Sequence, residues 1–240
     1  MHQHNLPSLL LVAKYLLRYR LIDVVSRHKK SLWGRKSYSQ AGQDLFALIT
    51  SGFKSGGTYV EIGAHDPVRD NNSFLLEQDY KWRGLSFEID ELYCYFFNRR
   101  RLNPCICADA TRIDYRKAFL DRGLPSRIDY LQIDIDPARQ SLCALRALPL
   151  DEYRFGAITF EHDRYQEGDS VMLAARRILL DHGYVLLMPN IQNIGLDVED
   201  WWVDPTQENE ALLRVQQSGP LDYIEAIRLG LNFYARENID

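Results

Sequence analysis

No apolar run in this chain is long enough to cross a membrane. Leu9-Leu10-Leu11-Val12-Ala13 is cut short by Lys14, Arg18 and Arg20. Cysteine is scarce: the four residues Cys94, Cys105, Cys107 and Cys143 are not spaced as a zinc ribbon or a CxxC redox pair. Cys105 and Cys107 alternate as strand residues do, which sends both thiols to one side and points to the core rather than to metal binding. A chain of 240 residues does not need disulfides, so a reducing cytoplasm is the expected compartment. Positive charge is not in excess either. The net charge of −4 gives no reason to expect a nucleic-acid partner. Internal repeats, low-complexity segments and linkers are missing, which leaves no sign of an array or a string of domains.

What is present fits one α/β domain with a sizeable core: 46% hydrophobic and 26% charged residues over 240 positions. Residues 1–37 form a separate N-terminal region. Leu6 to Ile22 can make an amphipathic helix with Pro7 near its first turn, and a basic segment follows from Arg27 to Lys36. Packing on the domain or self-association is the favoured reading of this helix. Peripheral contact with an anionic membrane face is the alternative.

From Tyr38 to the end, residues 38–240, strands and helices alternate. Short apolar runs at Tyr59–Ile62, Leu85–Ile89, Pro104–Ala108, Ile128–Ile135, Ala157–Phe160 and Tyr184–Met188 read as strands. Helices are expected over Leu45–Ile49, Phe74–Asp79 behind the capping Asn71-Asn72-Ser73, Glu91–Leu102, Ser141–Ala147, Val171–Asp181 and Leu221–Leu231. Strands without polar alternation signal a parallel sheet covered on both faces.

Acids cluster where these strands end: Glu61, Glu88, Asp109, Asp134 with Asp136, and Glu161 with Asp163. In an open α/β sheet, ligands bind outside the carboxyl ends of the strands. Glu61 and Glu88 stand about one βαβ step apart. An acid at the second strand end can accept hydrogen bonds from both hydroxyls of a ribose. Asp109 can reach the exocyclic amine of an adenine. Glu61 repels a pyrophosphate but can hold an ammonium. An adenosine with a ribose diol and an amino group, S-adenosylmethionine, satisfies all three. A dinucleotide is disfavoured, because the turn Gly63-Ala64-His65-Asp66-Pro67 has one glycine where G-x-G-x-x-G is needed. It also carries Asp66 where phosphates would sit.

In order, "SQAGQD", "YVEIGAHDP", "NNSFLLE", "WRGLSFEID", "YLQIDID" and "FGAITFEHD" resemble the FkbM-type branch of class I S-adenosylmethionine-dependent methyltransferases over roughly residues 38 to 190. The resemblance implies a Rossmann-like class I methyltransferase fold. Its sheet would be mostly parallel and seven-stranded, with the last strand antiparallel and helices on both faces. The implied activity is O-methylation of sugars or secondary metabolites. By position, Glu61 and Gly63 fall in the methionine-binding turn, Glu88 matches the ribose acid and Asp109 the adenine-side acid. Gln40 and Gln43 of "SQAGQD" can fold over the cofactor as a lid, and His65 can touch it. The chain departs from the family where Gln132 replaces a lysine and Pro137 follows Asp136.

Methyl transfer to a sugar hydroxyl needs a general base, or a metal that lowers the hydroxyl pKa. Asp134, Asp136, Glu161, His162 and Asp163 are expected to converge from two adjacent strand ends. His162 is the expected base, with Asp134 and Asp136 beside it. Asp134, Glu161 and Asp163 offer the hard oxygens that suit Mg²⁺. Related sugar O-methyltransferases hold magnesium on acids after the fourth and fifth strands, so the resemblance also implies such a site. The acceptor is expected to be a sugar or glycan, with a lipid-linked or small-molecule acceptor as the alternative. A methyltransferase fold that only binds is the competing class. Trp201-Trp202 in "GLDVEDWWVDP" read either as a tail packed on the domain or as exposed aromatics that stack on a sugar face.

Overall fold

The structure is a computed structural model that describes residues 30–32, 34–205 and 210–237. The expected helix from Leu6 to Ile22 lies outside the described residues. A hairpin of β1 (Lys30–Leu32) and β2 (Arg35–Ser37) leads into α1 (Gln43–Thr50). Then follow β3 (Thr58–Ile62), α2 (Phe74–Gln78), β4 (Arg83–Glu88), α3 (Glu91–Arg100), β5 (Cys105–Cys107) and α4 (Tyr115–Arg122). The second half comprises β6 (Arg127–Ile133), α5 (Ala138–Ala147), β7 (Arg154–Glu161), the single turn α6 (Arg164–Glu167) and α7 (Asp169–Asp181). β8 (Val185–Asn193), β9 (Leu196–Val203), a 3₁₀ turn (Glu210–Val215), β10 (Leu221–Asp222) and α8 (Tyr223–Glu237) complete the described chain.

Among the described residues the main sheet has eight strands in the order β10-β8-β9-β7-β6-β3-β4-β5. All neighbours are parallel except β9, which runs antiparallel to β7 and β8. From β3 the chain steps outward to β4 and β5, returns to β6 beside β3, and steps outward again. The strand order therefore reverses between β3 and β6, and the carboxyl ends of these two strands frame a crevice. This is the Rossmann-like class I methyltransferase fold. The seven expected strands are present, and the two-residue β10 is added at one edge.

Alternation along each strand divides the core into two layers. Val60, Ile62, Leu131, Ile133, Ile158, Phe160 and Trp202 face α4, α5 and α7. Tyr59, Tyr130, Ala157 and Trp201 face α1, α2 and α8. Leu32 of the hairpin packs into this second layer. Helices on both faces explain why the strands read as continuous apolar runs.

Four local expectations change. Trp201 and Trp202 are not a tail: β9 inserts them between β7 and β8, both fully buried, with Trp201 stacked on Phe46 at 4.6 Å. The last helix starts at Tyr223, because Leu221 and Asp222 pair with β8. α4 also appears where no helix is legible in the sequence; Asp114 caps it by accepting from the Lys117 amide, and Gly123 ends it. The two strand thiols do share a side, both beside Cys94, but only Cys105 is in the core and Cys107 is exposed.

Candidate functional site

A cleft of about 680 Å³ opens at the β3/β6 reversal, within the ~300–1,000 Å³ usual for small-molecule sites. Its walls carry the carboxylates of Glu61, Asp70, Glu88, Asp109, Asp134 and Asp136. Among the described residues no lysine or arginine lines it. The sequence-predicted acids of the first four strand ends thus meet in one place.

The floor is the turn after β3. Gly63 has φ +87°, and a Cβ there would lie 1.7 Å from the Asp134 carbonyl oxygen. Only glycine lets the end of β6 pass this closely. The Gly63 and Ala64 amides both donate to the Phe87 carbonyl at 3.0 Å. His65 follows at φ +47°, its ring 4.1 Å from that of Tyr93. Asp66 turns away from the cleft, is buried, and accepts from the Val68 and Arg69 amides at 2.9 Å.

Glu61 is 1% exposed, and its Oε2 accepts from the Ser73 and Ser86 hydroxyls at 2.8 Å. Burial pushes its carboxyl up, and the Arg101 charge and these hydroxyls oppose that. Glu88 Oε2 accepts the His65 amide at 2.7 Å, while Oε1 takes the Ile89 and Asp90 amides. A carboxylate has about four lone-pair sites, so Oε2 keeps one for a ligand hydroxyl. Asp109 Oδ1 accepts from the Thr111 amide (2.9 Å) and hydroxyl (2.7 Å), which holds its carboxyl below the usual range.

Two polar networks that sequence reasoning passed over hold these walls. The Arg101 side chain is fully buried, pairs with Glu77 at 3.1 Å, and donates to Pro67 O, Asn71 Oδ1 and Ser73 Oγ. Asp44 accepts the Ser37 and Ser39 hydroxyls and the Tyr38 amide, and so fixes the loop that sets Gln40 on the cleft wall. Gln43 does not line the cleft. It is buried, and its Oε1 accepts the Ala41 amide at 2.8 Å. The buried pair Arg101–Glu77 joins two distant segments of chain. The signal for it in the sequence is weak: one arginine at the end of a helix otherwise ending in exposed ones.

On the β6–β7–β9 side, acid faces acid. Register sets Glu161 opposite Glu199, and Asp134 continues the row from β6. Burial, then the neighbouring Asp134 charge, drives the Glu161 carboxyl far up, and the two side chains share a hydrogen bond. Burial and the charge of Asp136 push the Asp134 carboxyl up as well. Asp163, buried at φ +42°, is raised to about 6 by burial and the charges of Asp136 and Asp134. Glu199 is raised to about 8, chiefly by burial, although Trp201 Nε1 donates to it at 2.8 Å. One carboxylate oxygen from each of Asp136, Glu161 and Asp163 lies within 4.8 Å of the other two. This is the set that could hold a hard divalent cation. Asp136 takes the place expected for Asp134, whose carboxyl is engaged with Glu161 instead.

His162 is not at the cleft. Strand alternation, which groups Glu161 with the cleft-side acids, sends His162 to the opposite face. There it is fully buried, with Nε2 3.4 Å from Asp200 and Nδ1 accepting the Arg164 amide. Burial pushes the Asp200 carboxyl up, but Arg176, donating twice at 2.8 Å, and His162 hold it below its ordinary range. The expected base is a core residue because β9 brings Asp200 beside it.

No family model matches this sequence, and no curated protein matches it. Solved structures share its architecture at a distance. An rRNA methylase from Streptococcus thermophilus is 15% identical over 68% of this chain and 93% of its own, with a TM-score of 0.44. The N-methyltransferase NodS from Bradyrhizobium japonicum WM9 is 13% identical over 69% of this chain and 94% of its own, at 0.44. Aeropyrum pernix fibrillarin, solved with natively bound S-adenosyl-L-methionine, is 14% identical over 69% of this chain and 74% of its own, at 0.45. At such scores the assignment of the fold rests on the strand order described above. No described helix is long and apolar enough to cross a membrane.

Proposed function

We propose that the protein is an S-adenosylmethionine-dependent methyltransferase that transfers to a hydroxyl of a sugar or glycan. One observation carries the reading: six carboxylates and no described lysine or arginine line the cleft at the strand reversal. Such a wall repels the phosphates of a dinucleotide or nucleotide sugar and favours a cationic adenosine derivative. The donor set fits that group. Glu88 has acceptor capacity left for a ribose hydroxyl, Asp109 stands by the third strand for the adenine, and the turn at Gly63 gives the ligand bare backbone to lie against.

S-adenosylmethionine, when bound, supplies a methyl group on a sulfonium, which an oxygen nucleophile displaces in line. The protein's share is orientation and charge. Asp134 and Asp136 line the cleft and can take the proton that an acceptor hydroxyl gives up. Asp136, Glu161 and Asp163 would hold Mg²⁺, whose contribution would be to lower the hydroxyl pKa.

Calorimetry with S-adenosylhomocysteine, NAD and a nucleotide sugar tests the cofactor. Heat with the first alone is expected, and silence with it overturns the assignment. Turnover on a panel of sugar, lipid-linked and small-molecule acceptors, with and without EDTA, tests the acceptor and the metal. Activity untouched by EDTA removes the magnesium and leaves the two aspartates as the proton acceptors.

A further inference from the structure

Asn71 and Asn72 are neighbours of one type with opposite fates. Asn71 Oδ1 accepts from the Ser73 and Phe74 amides and from Arg101, and its Nδ2 donates to the Ala64 carbonyl. It closes the turn that starts α2. Asn72 is 5% exposed, lines the same cleft as Glu61 and Ala64, and its buried Oδ1 has no hydrogen-bond partner. An unpaired buried carbonyl weakens the folded state and is rare in proteins. The fold makes no use of this oxygen, so its use lies with what enters the cleft.

We propose that Asn72 is a ligand-reading residue whose side-chain carbonyl accepts an N–H of the cofactor's α-ammonium. The inference rests on the methyltransferase reading and adds the residue that distinguishes an adenosine bearing an amino-acid end from one without it. The electrostatics select the ammonium over the neighbouring carboxylate of the ligand. Glu61 and Asp70 stand on the same cleft walls, and no described lysine or arginine lines them. An ammonium brings three N–H donors. Glu61 Oε2 already takes two serine hydroxyls, so Oε1 alone faces three donors, and Asn72 provides a further acceptor.

Calorimetry of the full chain with two probes tests this. S-adenosylhomocysteine carries the amino-acid end; 5′-methylthioadenosine keeps the adenosine and lacks it. Asn72→Ala should weaken the first by about tenfold to a hundredfold, the range of a hydrogen bond to a charged group, and leave the second unchanged. The melting temperature of the unliganded protein should stay level or rise. Asn72→Asp, which keeps an acceptor, should bind S-adenosylhomocysteine within a few-fold of wild type. Equal losses for both probes, a lowered melting temperature, or unchanged binding of the first probe by Asn72→Ala overturns the proposal. So does an Asn72→Asp variant weaker than Asn72→Ala, because the amide would then be donating to the ligand's carboxylate. If wild type binds neither probe, the methyltransferase reading falls, and this inference with it. If wild type binds both and Asn72→Ala binds both equally well, only the role of Asn72 is lost.

Discussion

The acids on the two sides of the strand reversal are of one residue type, yet they are chemically different, and of the β6–β7–β9 group only Asp134 and Asp136 line the cleft. On the β3–β4–β5 rim each acid meets donors: two hydroxyls for Glu61, three amides for Glu88, an amide and a hydroxyl for Asp109. On the β6–β7–β9 rim Asp134, Glu161, Asp163 and Glu199 meet chiefly one another, and burial and mutual repulsion raise their carboxyls. The first rim is a set of fixed acceptors that can receive a ligand's hydroxyls and amines. The second is an arrangement that binds protons or a cation to relieve its own charge. Donors hold Asp109 below its usual range and oppose the burial that raises Glu61, whereas the second group has little to oppose its own repulsion.

That difference can be broken at its hinge, where the rims touch. Gly63→Ala drives a Cβ into the Asp134 carbonyl at 1.7 Å. It should cost more than ~4 kcal/mol, read as loss of cooperative unfolding by circular dichroism. On the donor-rich rim, Arg101→Met leaves the buried Glu77 without its ion partner, though Tyr59, Leu102 and Asn103 still donate to it, and frees the loop that carries Asn71 and Ser73. A loss of about 3–5 kcal/mol is expected in urea denaturation. Glu88→Ala should weaken S-adenosylhomocysteine by on the order of 1–3 kcal/mol, measured by calorimetry, through lost ribose hydrogen bonds and a loosened His65 turn. Unchanged affinity would remove Glu88 from the ribose.

The acid-rich rim should respond in the opposite direction. Glu199 holds its proton in the folded state up to about pH 8, against an ordinary value of 4.5. The folded state binds more protons than the unfolded one in that window, so wild-type stability falls as pH rises through it. Glu199→Gln copies the protonated form and keeps an acceptor for Trp201 Nε1. Its melting temperature should equal wild type near pH 4 and exceed it by a margin that grows until pH passes about 8. A variant less stable than wild type at pH 9 would show that the acids of this rim are compensated after all.

The acids at strand ends were legible because each one interrupts an apolar run, and a parallel sheet places all such ends on one edge. The positions of Glu61, Gly63, Glu88 and Asp109 follow from that alone. Gln43 and His162 were misread for a shared reason: a polar residue beside a site motif looks functional until its partner is known. The partners are Ala41 in a local turn and Asp200 on a strand distant in sequence. Trp201-Trp202 looked like a tail because nothing nearby in the sequence shows β9 running back between β7 and β8.

Composition and periodicity determined the α/β class, the buried parallel strands and the edge on which the carboxylates lie, since these depend on spacing along the chain. Tertiary structure decided which carboxylates meet hydroxyls and amides, which meet another carboxylate, and which amide oxygen is left without a partner. Those outcomes depend on strand order and register, through which residues far apart in sequence come within hydrogen-bonding distance.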